Sequence, residues 1–201
     1  MNNLKYLLTP LLIPHLFCYF LFENKDFIKA DILVFSKKYG YDDQYGTISK
    51  LIKTLLFYPE YRNVFYKRIG GISKKLHIGF LLETLLPGFR FLWIGTPGEK
   101  IGKGLFIEHG NSTIIYAKSI GDYCWINQNV SIGESGKGIP QIGSNVRIGT
   151  GAVVLGPITI GDNVIIGANA TVVKDVPANC TVVPSPSYII RRDGMRVTEK
   201  L

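Results

Sequence analysis

From Ile101 onward a single interval governs the chain. Aliphatic residues recur at 101, 107, 114, 120, 126, 132, 142, 148, 154, 160, 166 and 172, ten of them Ile and two Val. The interval is six throughout, apart from one seven and one ten. Gly often follows at once, as at 102, 121, 133, 143, 149, 161 and 167. Four places after each aliphatic comes a further residue fit for burial, such as Val130, Val146, Ala152, Val164 or Ala170. Residues six apart fall on nearly opposite sides of an α-helix, so this period excludes an amphipathic helix. Short β-branched strands joined by glycine-tolerant turns satisfy it, and the repeat number predicts a solenoid of stacked parallel strands.

Up to Phe91 the pattern is helical. "DFIKADILVFSKK" and "TISKLIKTLLFY" place apolar residues three and four apart, with Asp26 and Thr47 as expected N-caps. Pro59, Gly70-Gly71 and Pro87-Gly88 end segments. The expected division is a helical N-terminal domain over 1–94, a β-helix over 95–179 and a C-terminal extension over 180–201. Tyr6 to Phe22 is uncharged but interrupted by Pro10 and Pro14, which makes it too short for a comfortable membrane span. It is expected to be an apolar helix buried on the rest of the protein, with interfacial membrane contact as the alternative.

Three cysteines, Cys18, Cys124 and Cys180, show no metal or redox spacing and fit a reducing, cytoplasmic compartment, at the inner membrane surface if the N-terminal segment touches lipid. The net charge of +8 is uneven: residues 1–90 carry 13 Lys and Arg against 7 Asp and Glu. Such a surface suits an acidic glycan, a membrane or a phosphorylated cofactor, or is simply solvated; nucleic acid is not an expected partner.

The stretches "GKGLFIEHG", "VSIGESGKG" and "IGANATVVKDVPAN" resemble the hexapeptide-repeat acyltransferases, in particular their serine acetyltransferase-like branch, which includes O-acetyltransferases of capsule and exopolysaccharide sugars. The likeness covers about half of the chain. It implies a left-handed parallel β-helix turning once per three hexapeptides, acetyl-CoA as cosubstrate, no metal, and a homotrimer with acyl-CoA slots between adjacent solenoids. Three hexapeptides per coil align His109, Gln128, Thr150 and Ala168 in one column, about 14–15 Å long over three steps of about 4.8 Å. "EHG" matches the family's catalytic histidine, so His109 is the expected general base for a hydroxyl attacking a thioester. Gln128 or Asn127 is the candidate for holding the oxyanion. Glu108 and Asn127 are expected at the acceptor, and Gly133, Thr150, Gly151, Ala168, Lys174 and Arg191 at the cofactor, the two basic residues near its phosphates. Cys124 and the helical His15 and His77 are read as structural.

The chain departs from serine acetyltransferases where the family binds serine. The aspartate 15 residues before the histidine is here Ile94. The Arg-His-Pro segment is Gly138, Ile139 and Pro140, and the following arginine is Gly143, leaving Lys137 as a substitute cation. The segment between His109 and Ile126 is one residue shorter. A sugar hydroxyl is therefore the expected acceptor, as part of polysaccharide synthesis; serine is the alternative and a non-catalytic scaffold the third. A carbonic anhydrase-type zinc site needs three histidines, and the solenoid has one.

Overall fold

A computed structural model describes residues 3–41 and 45–200, with side chains from Leu7 onward. Residues 1, 2, 42–44 and 201 of the expected domains lie outside the described residues. A 3-10 segment, Asn3–Leu12, leads into six helices: α1 (Ile13–Leu21), α2 (Lys25–Lys38), α3 (Thr47–Phe57), α4 (Pro59–Arg68), α5 (Gly70–Lys75) and α6 (Gly79–Leu85). Proline opens α4, where a missing N–H costs nothing, and Glu60 and Arg68 complement its two ends. Neither expected N-cap acts as one. Asn24 and Gly46 hold the cap positions, which puts Asp26 and Thr47 inside the first turns, and Asp26 bonds Lys29 instead.

The rest is the expected left-handed parallel β-helix, of about five turns. Its first face carries Leu92–Ile94, Thr113–Ile115, Ser131–Gly133, Val153–Leu155 and Thr171–Val172. The second carries Ser119–Ile120, Gln141–Ile142 and Thr159–Ile160; the third carries Phe106–Ile107, Trp125–Ile126, Arg147–Ile148, Ile165–Ile166 and Thr181–Val182. Strand pairing thus runs from 92 to 182, slightly beyond the 95–179 read from the repeat. Ile107, Ile126, Ile148 and Ile166 stand in register and are buried, as are Ile120, Ile142 and Ile160. At the corner between the second and third faces, Gly102, Gly121, Gly143 and Gly161 stack. A Cβ on any of them would fall 2.4–2.5 Å from an atom of the next coil, so the coils close only over glycine.

In one coil the structure overrides the sequence reading. Ile114 is 48% exposed, and Ile115 points inward opposite Ile132. The interval from Ile107 to its successor is therefore eight, two more than the regular six. Both residues are isoleucine, so residue type carried no information about which one turned in.

The helices sit on the first coil. Phe35 meets Phe106 edge-on at 4.7 Å and Tyr61 at 5.2 Å, joining α2 and α4 to the third face. Beside them Arg68, from α4, donates Nε and Nη2 to the Asp31 carboxylate of α2 at 2.9 and 3.1 Å. Its remaining donors reach the carbonyls of Gly98, Ile101 and Gly102, and Asp31 accepts the N–H groups of Gly104 and Leu105. Both side chains are buried.

The N-terminal segment is buried on one side only. His15, Cys18 and Tyr19 face the core, with the His15 ring bonded to Leu11, Tyr66 and Leu82. Ile13, Phe17 and Phe20 are more than half exposed, as is Phe80 of α6 at 87%. The chain ends in a hairpin of Tyr188–Arg192 and Met195–Lys200, closed by an Arg192–Glu199 ion pair.

Arg68→Met should destabilise the protein by about 3–5 kcal/mol in chemical denaturation, because it leaves the Asp31 charge buried and unpaired. Burial lowers the His15 pKa from its usual 6.5. The unfolded chain then binds the proton more readily, so the stability held by neutral His15 is full above about pH 6.5 and declines as pH falls below it. His15→Gln should flatten that limb of a stability–pH curve.

Candidate active site

Backbone pairing stacks the corner on which the expected column lies, without His109. The N–H groups of Glu108, Asn127, Gly149 and Gly167 donate in turn to Ile126, Ile148, Ile166 and Val182, stacking the corner between the third and first faces. One residue on, the Gln128 carbonyl accepts from Gly151 and the Thr150 carbonyl from Asn169. In the first coil the equivalent acceptor, for Asn129, is Asn111 and not His109. His109 and Gly110 are the two additional residues, looped out of the column. Both have left-handed backbone, φ 64° and 41°, and Ser112 beyond them has φ 48°. His109 is exposed and bonds to no described residue. It projects from the start of a row of half-buried or exposed Gln128, Thr150 and Ala168. That places an imidazole without a described partner at the head of a row whose further members, Thr150 and Ala168, are small.

The other expected residues divide by corner. The Gln128 amide has no partner among the described residues and is free to donate, whereas Asn127 gives its Nδ2 to the Ile148 carbonyl at 3.4 Å. Gly151, at φ 72°, takes a left-handed turn position that Asn129 and Asn169 fill in the neighbouring coils, and a Cβ there would sit 2.2 Å from Asn169 Oδ1 unless that amide shifted. Gly133 and Lys174 lie at the far edge of the first face, so within one chain they do not join His109 and Thr150. A Cβ on Gly133 would meet only Leu155, in ordinary contact at 3.8 Å, so this chain alone does not demand glycine there. Arg191 lies on the terminal hairpin. Glu108 is fully engaged: Oε1 pairs with Lys38 Nζ at 3.1 Å and Oε2 accepts Trp125 Nε1 at 3.1 Å.

Four residues near this corner escaped the sequence reading. Lys38 of α2 comes from the helical domain, and its Nζ lies 4.3 Å from the Trp125 ring centre. Arg147 lies over the same ring at 4.6 Å. Glu60 of α4 brings its Cγ within 3.0 Å of where a Cβ on Gly110 would stand. Trp125 was legible as a large aromatic in a slot that Phe106, Arg147, Ile165 and Thr181 fill in the other coils; the helical residues had no such signal. Cys124 is buried, with its Sγ donating to the Gly143 carbonyl at 3.1 Å, and burial pushes its thiol up to about 11. No group of three or more His, Cys, Asp or Glu residues able to hold a metal occurs among the described residues.

A model of the bacterial transferase hexapeptide (six repeats) matches residues 139–174. Serine acetyltransferase of Synechococcus elongatus is 40% identical over 154 residues, covering 73% of this chain and 63% of that protein. These matches support the resemblance to the hexapeptide-repeat transferases and to their serine acetyltransferase-like branch. Serine acetyltransferase of Staphylococcus aureus strain N315 is 50% identical over 106 residues, covering 50% of each chain. The chain thus spans only 50–63% of the length of these two relatives. Serine acetyltransferase isoform 3 of Entamoeba histolytica, solved in complex with cysteine, matches with TM-score 0.61 at 29% identity, over 84% of this chain and 62% of that one. Neisseria gonorrhoeae serine acetyltransferase in complex with serine matches with TM-score 0.57 at 25% identity, over 80% and 66%.

Within this branch the departures read from sequence have structural counterparts. Ile94 is 3% exposed and pairs with Ile115 in the first face, so the expected aspartate slot is part of the apolar core. Gly143 belongs to the glycine stack and has no room for a side chain. Deleting His109 and Gly110 together should restore a regular six-residue corner. The shortened protein is expected to keep its circular dichroism spectrum and melt within a few degrees of the parent, while losing whatever activity the imidazole supplies.

Proposed function

We propose that this protein is an acetyl-CoA-dependent O-acetyltransferase whose acceptor is the hydroxyl of L-serine and whose general base is His109. The observation that carries the reading is the looped-out His109 at the head of the Gln128–Thr150–Ala168 row. The Nε2 or Nδ1 of neutral His109 takes the hydroxyl proton as the oxygen attacks the thioester carbonyl. A C–O bond forms, and the Gln128 amide donates to the oxyanion. Collapse breaks the C–S bond, and the imidazolium returns its proton to the leaving CoA thiolate. No covalent enzyme intermediate is needed, in keeping with the inert Cys124. Thr150 and Ala168 leave space for the pantetheine arm, and Lys174 and Arg191 remain candidates for its phosphates.

The sugar acceptor expected from the sequence gives way to serine because each relative described above is named a serine acetyltransferase. Nothing among them supports a place in polysaccharide synthesis. A homotrimer is part of the same proposal. The outer side of the first face is apolar, with Trp93, Ile114 and Val173 about half exposed and the Trp93 and Tyr116 rings 5.9 Å apart. A neighbour covering that wall would bring Gly133 and Lys174 of one chain toward the His109 corner of another.

The relatives lend no support to membrane contact, and no described helix is long and apolar enough to cross a membrane. What favours a peripheral contact with an anionic bilayer is the exposed Ile13, Phe17, Phe20 and Phe80, near the exposed Lys74 and Lys75.

His109→Ala should lower kcat by about 10²–10⁴ and leave acetyl-CoA affinity within a few-fold, since the imidazole acts on the acceptor proton. Turnover above a tenth of the parent removes His109 from the role. Light scattering should report a trimer, and Ile114→Asp should dissociate it with loss of activity. Vesicles containing anionic lipid should pellet with the protein, and Phe17→Asp with Phe80→Asp should abolish that; an unbound parent protein excludes the contact.

A further inference from the structure

Resting on the acetyl-transfer reading, we propose that Arg147, held on the Trp125 ring, is the acceptor's carboxylate-binding residue in this protein. Serine carries a carboxylate that is costly to desolvate without a cation. The three family positions that would supply acceptor-binding charge are Gly138, Ile139 and Gly143, and the last is fixed as glycine by coil stacking. The cation must therefore come from another position, either Lys137 of a neighbouring chain or a residue on the His109 side.

Two cations lie over the Trp125 indole, and only one is free. Lys38 is neutralised by Glu108 at 3.1 Å. The Arg147 side chain has no ion pair or hydrogen bond among the described residues, and its guanidinium carbon lies over the ring, 4.6 Å from its centre. With no side-chain partner its N–H fork is available, and such a fork takes a carboxylate in two parallel hydrogen bonds. The indole contact also restrains the side chain before binding, so less rotamer entropy remains to be lost.

Position favours the acceptor over the cofactor. Arg147 pairs with Trp125, and Trp125 with Phe106, so its strand lies two steps of about 4.8 Å from the coil that bears His109. The guanidinium leans back across one of those steps. Through the indole, whose Nε1 is 3.1 Å from Glu108 Oε2, it adjoins the residue preceding His109. The CoA phosphates belong at the other end of a fully extended pantetheine arm. Arg147 also lines a groove of about 340 Å³ with Trp125, Asn127, Gly149, Ile165 and Gly167. The same fork would also accept the carboxylate of a uronic acid, so the shared chemistry is a hydroxy-carboxylate acceptor.

The test compares the parent protein with R147M and R147K, by initial rates and by calorimetry, using L-serine, L-serinamide, glucuronic acid and acetyl-CoA. R147M should raise Kd and KM for L-serine at least ten-fold while kcat, its pH profile, the melting temperature and acetyl-CoA affinity stay within two-fold. R147K should recover part of the loss, and L-serinamide, lacking the charge, should bind R147M and parent alike. The same pattern with glucuronic acid in place of serine supports the carboxylate role and reassigns the acceptor. R147M equal to the parent toward every carboxylate overturns the proposal while the transfer reading stands, as does a loss confined to acetyl-CoA. A parent protein that binds L-serine through Arg147 but transfers no acetyl group keeps the carboxylate site and sinks the transfer reading. If it neither binds a carboxylate nor transfers acetyl, both fall.

Discussion

The Asp31–Arg68 pair solves the problem that every solenoid has at its first coil. Parallel coils satisfy one another's backbone groups, so the outermost coil presents carbonyls and N–H groups with no preceding coil to meet them. Here the carbonyls of Gly98, Ile101 and Gly102 receive the Arg68 guanidinium, and the N–H groups of Gly104 and Leu105 end on Asp31. An isolated buried ion pair is rarely favourable, because two charges lose their water. This one is saturated by main chain, so its lone pairs and protons are used for capping. It also fixes α2 and α4 against the strand that leads into His109, and α2 in turn delivers Lys38 to Glu108.

Function gathers where the solenoid is irregular. Five turns of near-identical corners produce smooth faces, and a regular corner buries or stacks nearly everything it carries. The His109 corner escapes by two added residues in left-handed conformations, which cost backbone strain for a non-glycine residue. The regular coils hold that strain, since Asn111 restores the acceptor for Asn129 immediately afterwards.

The repeat was legible because period and residue type agree: β-branched residues fill the inward slots and glycine the tight corner. Legibility failed where residue type stopped discriminating. Ile114 and Ile115 are chemically the same, and only the corner's backbone decides between them. The pairing of Lys38 with Glu108 joins a helix to a coil across most of a domain, and no local spacing encodes it. Asp26 and Thr47 had the chemistry of caps, but the helices begin one or two residues earlier than that chemistry suggests.

The distribution of charge around the corner bears on why such a chain would move its acceptor contacts. A cation on the insert, such as Lys137 in "GESGKGIPQ", would reach His109 only from a neighbouring chain, because within one chain that insert sits at the opposite edge of the first face. A guanidinium lying on an indole in the middle of a rigid face is ordered already. Its register relative to Glu108, the residue before His109, is set by strand pairing. The Glu108 carboxylate adds selectivity, because it quenches Lys38 and leaves one exposed fork instead of a diffuse basic patch. Phosphate-rich ligands gain most from several cations at once, whereas one planar fork beside a base matches a single carboxylate carried one or two bonds from the reacting hydroxyl.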